Sequence, residues 1–274
     1  MSPRGWERLL LGATARVRKE VLDIANGGDR GRTVGIGASG DRTIFADKQA
    51  EVELLKSLGR VGAVRILSEE AGFAGDPRSK TLAVVDPLDG SSNFERGIPF
   101  YCTSVAVVEG DSIEDISVGV VRDLVSGEVY SATRAGGARM NGRTIRTSEV
   151  LDPTSAVVGI DLNRSRASQV EGLAPLVSGV KRQVHLGANA LEICYLADGR
   201  IDAFIDVRRE TRITDFAAAY LIAKEAGAKV TGADGKELKP RFDLEHRFSF
   251  VASANPHLHG EILKFIHLAK SGGR

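Results

Sequence analysis

Two aspartates three residues apart, in Val84-Val85-Asp86-Pro87-Leu88-Asp89-Gly90-Ser91-Ser92-Asn93-Phe94, hold the densest chemistry in this 274-residue chain. An apolar run leads into Asp86, Pro87 removes an amide donor and fixes the turn, and Asp89 is followed by a glycine and two hydroxyls. Carboxylates that share a tight turn can face one volume, where they repel each other, so burying them calls for a cation. Oxygen donors alone, with no histidine or thiolate beside them, suit a hard ion such as Mg²⁺ or Mn²⁺ better than zinc. The same run would also serve as a plain turn whose aspartates bond the backbone. Other acids tilt the balance: Ser68-Glu69-Glu70-Ala71-Gly72 closes the preceding apolar run, and Thr214-Asp215-Phe216 stands before a helical pattern. Taken alone, Asp215 is an ordinary helix-start residue.

The elements that must position these residues follow from hydrophobic spacing. Trp6, Leu9, Leu10, Ala13, Val17 and Val21 recur at helical intervals, and a second helix is expected from about Asp47 to Leu58. Short apolar runs predict strands over 64–67 and 81–85, each ending at acids, then over 103–108, 116–121 and 128–132, before a turn at Met140-Asn141-Gly142-Arg143. Further on, strands are expected over 156–160, 183–186, 201–206 and 248–252, and helices over 189–197, from Asp215 to Ala226 and from Pro256 to about Leu268. Thr214 is placed to cap the Asp215 helix and Gly227 to end it. The mixture is that of an α/β layered protein whose halves, 1–149 and 150–274, meet near Leu151-Asp152-Pro153.

Gly35-Ile36-Gly37-Ala38-Ser39-Gly40 fits G-x-G-x-x-G letter for letter, which raises a nicotinamide-dinucleotide-binding protein as a reading from another class. That fingerprint works only between a buried strand and a helix start. Here Asn26 to Val34 is polar and glycine-rich, and Asp41 to Phe45 looks extended, so the stretch is expected to be a glycine-rich loop.

Composition excludes little else. With 37 basic and 36 acidic residues the net charge is +1, which gives no reason to expect nucleic acid or an anionic membrane as a partner. No apolar run approaches the roughly 20 residues of a membrane helix, and the polar N-terminus lacks a secretory core, so the cytoplasm is the expected location. Cys102 and Cys194 each sit among apolar residues and are expected to be buried free thiols.

SEEAG, DPLDGSSNF and TDFAAAYLIAKEAG, in that order, resemble the three signatures of the inositol monophosphatase and fructose-1,6-bisphosphatase superfamily. The resemblance covers nearly the whole chain and extends to GASGDRTIFADKQAE, GARMNGR and LGANALEICYLADGRIDAFID. The GIGASGDRT loop and the segment from Asp206 to Arg212 look most like archaeal-type enzymes with activity on both inositol monophosphate and fructose 1,6-bisphosphate.

The resemblance implies a five-layer αβαβα sandwich of the sugar-phosphatase type, one catalytic unit with its site where the halves meet, and a homodimer. It also implies Glu69, Asp86, Asp89, Asp215 and the backbone carbonyl of Leu88 as ligands of two or three Mg²⁺ ions, with Mn²⁺ a possible substitute. Ser91 stands where the family usually has threonine and would orient the attacking water, with Asp47 as the acid that partners its hydroxyl. Gly90, Ser91 and Ser92 would offer amides and hydroxyls to phosphate. Gly187, Ala188 and Asn189 match the segment bordering the sugar or inositol ring, and the glycine loop matches one that closes over the metals in relatives. Arg208, Arg209 and Arg212 precede the Asp215 helix; Arg209 and Arg212 are the candidates to read a second phosphate, although a solvated basic loop is as good a reading of any one of them. His185 is expected to be structural, having no acid partner recognisable in the sequence. Thr214 replaces a tryptophan common in inositol phosphatases, and the Asp206 to Asp215 spacing differs from theirs, which counts against an inositol-only enzyme. The implied substrate is a small phosphorylated sugar or polyol, with a 3′(2′),5′-bisphosphate nucleotidase as the alternative.

Overall fold

The computed structural model of the chain describes residues 1–28 and 30–271, the last five of these by backbone alone. Helices α1 (Pro3–Asn26) and α2 (Phe45–Gly59) flank a hairpin of β1 (Thr33–Ile36) and β2 (Arg42–Ile44). Strands β3 (Arg65–Ser68), β4 (Gly72–Gly75) and β5 (Leu82–Asp89) follow, then α3 (Ser91–Arg96), β6 (Cys102–Val108), β7 (Ile116–Asp123), β8 (Val129–Thr133), β9 (Ala138–Met140) and β10 (Arg143–Thr144). The rest is β11 (Val157–Ile160), α4 (Ala167–Gly179), β12 (Arg182–Val184), α5 (Asn189–Ala197), β13 (Ala203–Thr211), α6 (Ala217–Ala226), β14 (Lys229–Gly232), β15 (Phe248–Ser253) and α7 (Pro256–Ser271).

Two mixed sheets organise the molecule. The first runs β10-β9-β8-β7-β6-β5-β3-β4 and the second β12-β11-β13-β15-β14. Helices α1 and α2 pack on one face of the first sheet, α5 and α6 lie between the sheets, and α4 and α7 cover the far side of the second. The order helix, sheet, helix, sheet, helix is the expected five-layer sandwich. Residue chemistry matches each layer. Helix α1 buries one stripe, Trp6, Leu10, Ala13, Val17 and Val21, and leaves its other face to solvent. The larger of these side chains each contribute about 1.5–3 kcal/mol by leaving water. Helix α6, sandwiched between sheets, buries every residue from Ala217 to Ala223.

Four local expectations change. Helix α4 is hidden in the sequence by Gly172 and Pro175, yet a proline inside a helix forfeits only local bonds and α4 packs against α7. Strands β4 and β14 are four residues each and rich in or bounded by glycine, which erases their signal. Helix α6 begins at Ala217, and Thr214 does not cap it: its hydroxyl donates to the Asp215 carboxylate at 2.8 Å. Gly227 ends it as expected, at φ 109°. The stretch Gly35 to Gly40 lies in the exposed β1–β2 hairpin and opens no helix, so the context a dinucleotide fingerprint needs is missing. Cys102 and Cys194 are buried and free. Among the described residues no helix is long and apolar enough to cross a membrane.

Candidate active site

A bulge in β5 brings the two aspartates together. On a regular strand, residues three apart face opposite sides of the sheet. Asp86 pairs with Ser104 and Asp89 with Cys102, so Pro87 and Leu88 oppose the single residue Thr103, whose hydroxyl donates to the Pro87 carbonyl at 2.8 Å. The extra residue turns both carboxylates into one pocket of about 250 Å³. Gly90 then turns the chain at φ 88°; a Cβ there would lie 3.0 Å from the Phe100 carbonyl oxygen and 3.1 Å from the Ala188 methyl. The amides of Ser91 and Ser92, at the start of α3, have no intrahelical acceptor, and both residues line the pocket.

The other acids arrive from neighbouring elements. Strand β3 runs parallel to β5 with Ser68 opposite Val85, and the Glu69 amide donates to the Val85 carbonyl at 3.2 Å, which sets Glu69 beside Asp86. Asp215 enters from the segment before α6. Glu69, Asp86 and Asp215 each offer an oxygen within 4.8 Å of the others. Asp47, on the first turn of α2, accepts from the Ile44 amide at 2.8 Å and faces the same pocket. No hydrogen bond joins Asp47 to Ser91 among the described residues. Leu88 lines the pocket as well, as Asp86 accepts its amide at 3.0 Å.

The electrostatics are those of a site short of positive charge. Eight carboxylates and three guanidiniums line the pocket. Burial, reinforced by neighbouring acids, pushes Glu69, Asp86 and Asp89 well above the usual carboxylate range. Burial also raises Asp215 against the pull of Arg212, and raises Asp47 to about 8. The Arg212 guanidinium leans into the cluster and pairs with Glu69 and Asp41. A guanidinium drawn onto these oxygens, and an all-oxygen donor set, fit a site able to hold a metal cation.

The remaining candidates divide between two places. Gly187 and Ala188 abut the Gly90 turn, and α5, opening at Asn189, donates the Ala190 amide to Asp89 at 2.7 Å. None of Gly187, Ala188 and Asn189 lines the acidic pocket itself. Arg212 lines it, whereas Arg209, held at φ 62° by the irregularity in β13, lines a separate cavity of about 780 Å³ with Arg247 and Phe248. Arg208 is buried against Asp206 and Asp161. The glycine loop is a hairpin turn docked on the acid strand: the amides of Ala38 and Ser39 donate to the carbonyls of Glu70 and Glu69 at 2.9 and 3.0 Å. His185 departs from expectation, since it does have acid partners, Glu192 at 3.2 Å and Asp161 at 3.4 Å. Asp41, Arg42, Glu95 and Arg164 also line the pocket, with nothing in the sequence to single them out; Arg164, at φ 57° after β11, carries no periodic signal at all.

Comparison with known proteins agrees with this geometry. Residues 13–270 match the inositol monophosphatase family. A fructose-1,6-bisphosphatase/inositol-1-monophosphatase of Methanothermobacter thermautotrophicus is 35% identical, over 96% of this chain and 97% of its own. A bifunctional NADP phosphatase/NAD kinase of Methanococcus maripaludis is 31% identical over 90% of this chain and 46% of its own length. A solved inositol monophosphatase-fructose 1,6-bisphosphatase superposes with a TM-score of 0.86 at 33% identity, covering 95% of this chain and 99% of the other. The chain belongs to the inositol monophosphatase family and, with it, to the phosphoric monoester hydrolases.

Proposed function

We propose that the chain is a Mg²⁺-dependent phosphatase that hydrolyses fructose 1,6-bisphosphate to fructose 6-phosphate, and inositol 1-phosphate to inositol. The observation that carries this reading is the imbalance of eight carboxylates against three guanidiniums, which repels a phosphate ester unless cations reverse the local sign. Glu69, Asp86, Asp89, Asp215 and the Leu88 carbonyl are the groups to hold Mg²⁺ there, and Mn²⁺ meets the same donors. Once bound, the ions would neutralise phosphate charge and acidify a bound water. The chain's own groups supply the rest. The Ser91 hydroxyl orients the attacking water, with Asp47, the pocket acid on α2, as the carboxyl partner of that hydroxyl. The amides of Ser91 and Ser92 bind phosphate oxygens. Arg164 and Arg212 are the pocket cations available to a second phosphate. The Gly187–Asn189 turn walls the sugar or polyol side.

Phosphate release should require Mg²⁺ and stop with EDTA; turnover untouched by the chelator would contradict the proposal. The relative from Methanococcus maripaludis supports a second reading, a phosphatase of nucleotide 2′- or 3′-phosphates. Turnover compared on inositol 1-phosphate, fructose 1,6-bisphosphate, 3′-phosphoadenosine 5′-phosphate and NADP under one metal condition separates the two, with a clear preference for the nucleotides deciding against the first.

A further inference from the structure

His185 joins two loops that flank the pocket. On one side its Nδ1 lies 3.2 Å from Glu192 Oε1. That same oxygen accepts the amides of Leu186 and Gly187, each at 2.9 Å, and so fixes the turn that abuts Gly90. The Asn93 side chain, donating to the Leu186 carbonyl at 2.7 Å, ties this turn to α3. On the other side, Nε2 lies 2.9 Å from the Asn163 side-chain amide and 3.4 Å from Asp161. Asn163 is followed directly by Arg164, whose left-handed backbone, φ 57°, persists only where its surroundings hold it. Arg208 braces this loop from beneath, pairing with Asp161 and donating to the Asn163 carbonyl at 2.8 Å.

We propose that His185 is a positioning residue: by packing its Nδ1 edge on the Glu192 carboxylate that holds the turn and bonding the Asn163 loop through Nε2, it fixes Arg164 relative to Gly90 and Asp89, and thereby sets the preference for a substrate with two phosphates over one with a single phosphate. This rests on the proposed function, in which Arg164 meets the second phosphate. The two protonation states of the imidazole serve the loops differently. Neutral, the ring accepts from Asn163 through Nε2 and sets Nδ1 beside Glu192; protonated, it carries a charge that pairs with Glu192 and Asp161, and its Nε2–H can no longer accept from Asn163. The charged groups facing the ring are Glu192 from α5, Asp161 after β11 and Arg208 from β13. Burial opposes the charged form, but Glu192 and Asp161 outweigh it and raise the pKa above the ordinary histidine value.

The test compares His185→Ala, His185→Gln, Arg164→Ala and the His185→Ala/Arg164→Ala double variant. In His185→Ala, KM for fructose 1,6-bisphosphate should rise about tenfold, with kcat and the KM for inositol 1-phosphate changed by less than about threefold. In the Arg164→Ala background the same change should add nothing. His185→Gln, which keeps an amide in reach of Asn163, should recover most of the preference. In the unmodified chain the preference should weaken as pH falls through the His185 ionisation, and in His185→Gln it should not. Equal losses on both substrates, or additive losses in the double variant, would overturn the proposal, because a merely structural histidine acts on both alike. Hydrogen exchange read without substrate or metal tests the link independently: amides over 161–166 should exchange faster in His185→Ala, and unchanged exchange would overturn the positioning role. Should the unmodified enzyme cleave neither sugar phosphate, the proposed function fails, while the exchange rates still test the link between the loops.

Discussion

Two groups of buried acids in this fold are treated in opposite ways. In the cluster behind the pocket, Asp161 and Asp206 share the Arg208 guanidinium, and His185 stands between Asp161 and Glu192, so cations of the chain itself meet the carboxylates. In the pocket, Glu69, Asp86, Asp89 and Asp215 crowd together while the guanidinium leaning into them, Arg212, pairs with Glu69 and Asp41, and burial drives the protonation of the four acids upward. The first arrangement meets its carboxylates with cations of the chain itself and holds loops in place. The second is incomplete without an added cation, which is how a stability liability becomes a binding site.

Breaking each cluster should give opposite phenotypes. Asp86→Asn removes a pocket carboxylate without opening a cavity. Turnover should fall by about a thousandfold or more, while the melting temperature in EDTA should hold or rise because a buried repulsion is gone. A large drop in that melting temperature would erase the distinction between the clusters. Arg208→Met removes the cation from two buried carboxylates and should destabilise the fold by about 3–5 kcal/mol in urea unfolding, with kcat of the folded fraction little changed. The pH dependence sharpens the contrast further. Asp47 is raised to about 8 in the fold from the ordinary aspartate value of 3.8, so the native state holds a proton that the unfolded chain releases between those values. Metal-free stability should therefore decline as pH rises through that window, by about 1.4 kcal/mol per pH unit for each proton retained. Saturating Mg²⁺ should flatten the decline in a thermal-shift series, since cations in the pocket favour the ionised form of Asp47. The smallest effect is expected from Arg209→Ala: as Arg209 faces the separate cavity, kcat/KM on fructose 1,6-bisphosphate should stay within about twofold of the unmodified enzyme. A selective loss on that substrate would place Arg209 at the second phosphate after all.

What can be read in the sequence is whatever local pattern encodes. The buried stripe of α1 follows helical spacing from Trp6 to Val21, and the strand leading into Asp86 follows from its unbroken apolar run. Asp86 and Asp89 stand out because proline, glycine and two hydroxyls crowd around them. The bulge that makes them face one way does not, since it depends on pairing with β6. Arg164 and Glu95 reach the pocket from loops and short helices with no period to betray them. The acid partners of His185 are hidden for the same reason: Asp161, after β11, and Glu192, on α5, become its neighbours only in the folded chain. Helix α4 is masked by Gly172 and Pro175, whose local preference tertiary packing overrides.

Metal binding at this pocket should be an exchange, in which acids whose protonation burial and mutual repulsion favour give up protons for a divalent cation. Calorimetric titration of Mg²⁺ into the metal-free protein at pH 7, repeated in two buffers of different ionisation enthalpy, measures this directly. Saturable binding should be accompanied by release of about one proton or more per site, and both should be lost in Asp86→Asn. Saturable binding with no proton release, or undiminished binding in Asp86→Asn, would contradict the exchange.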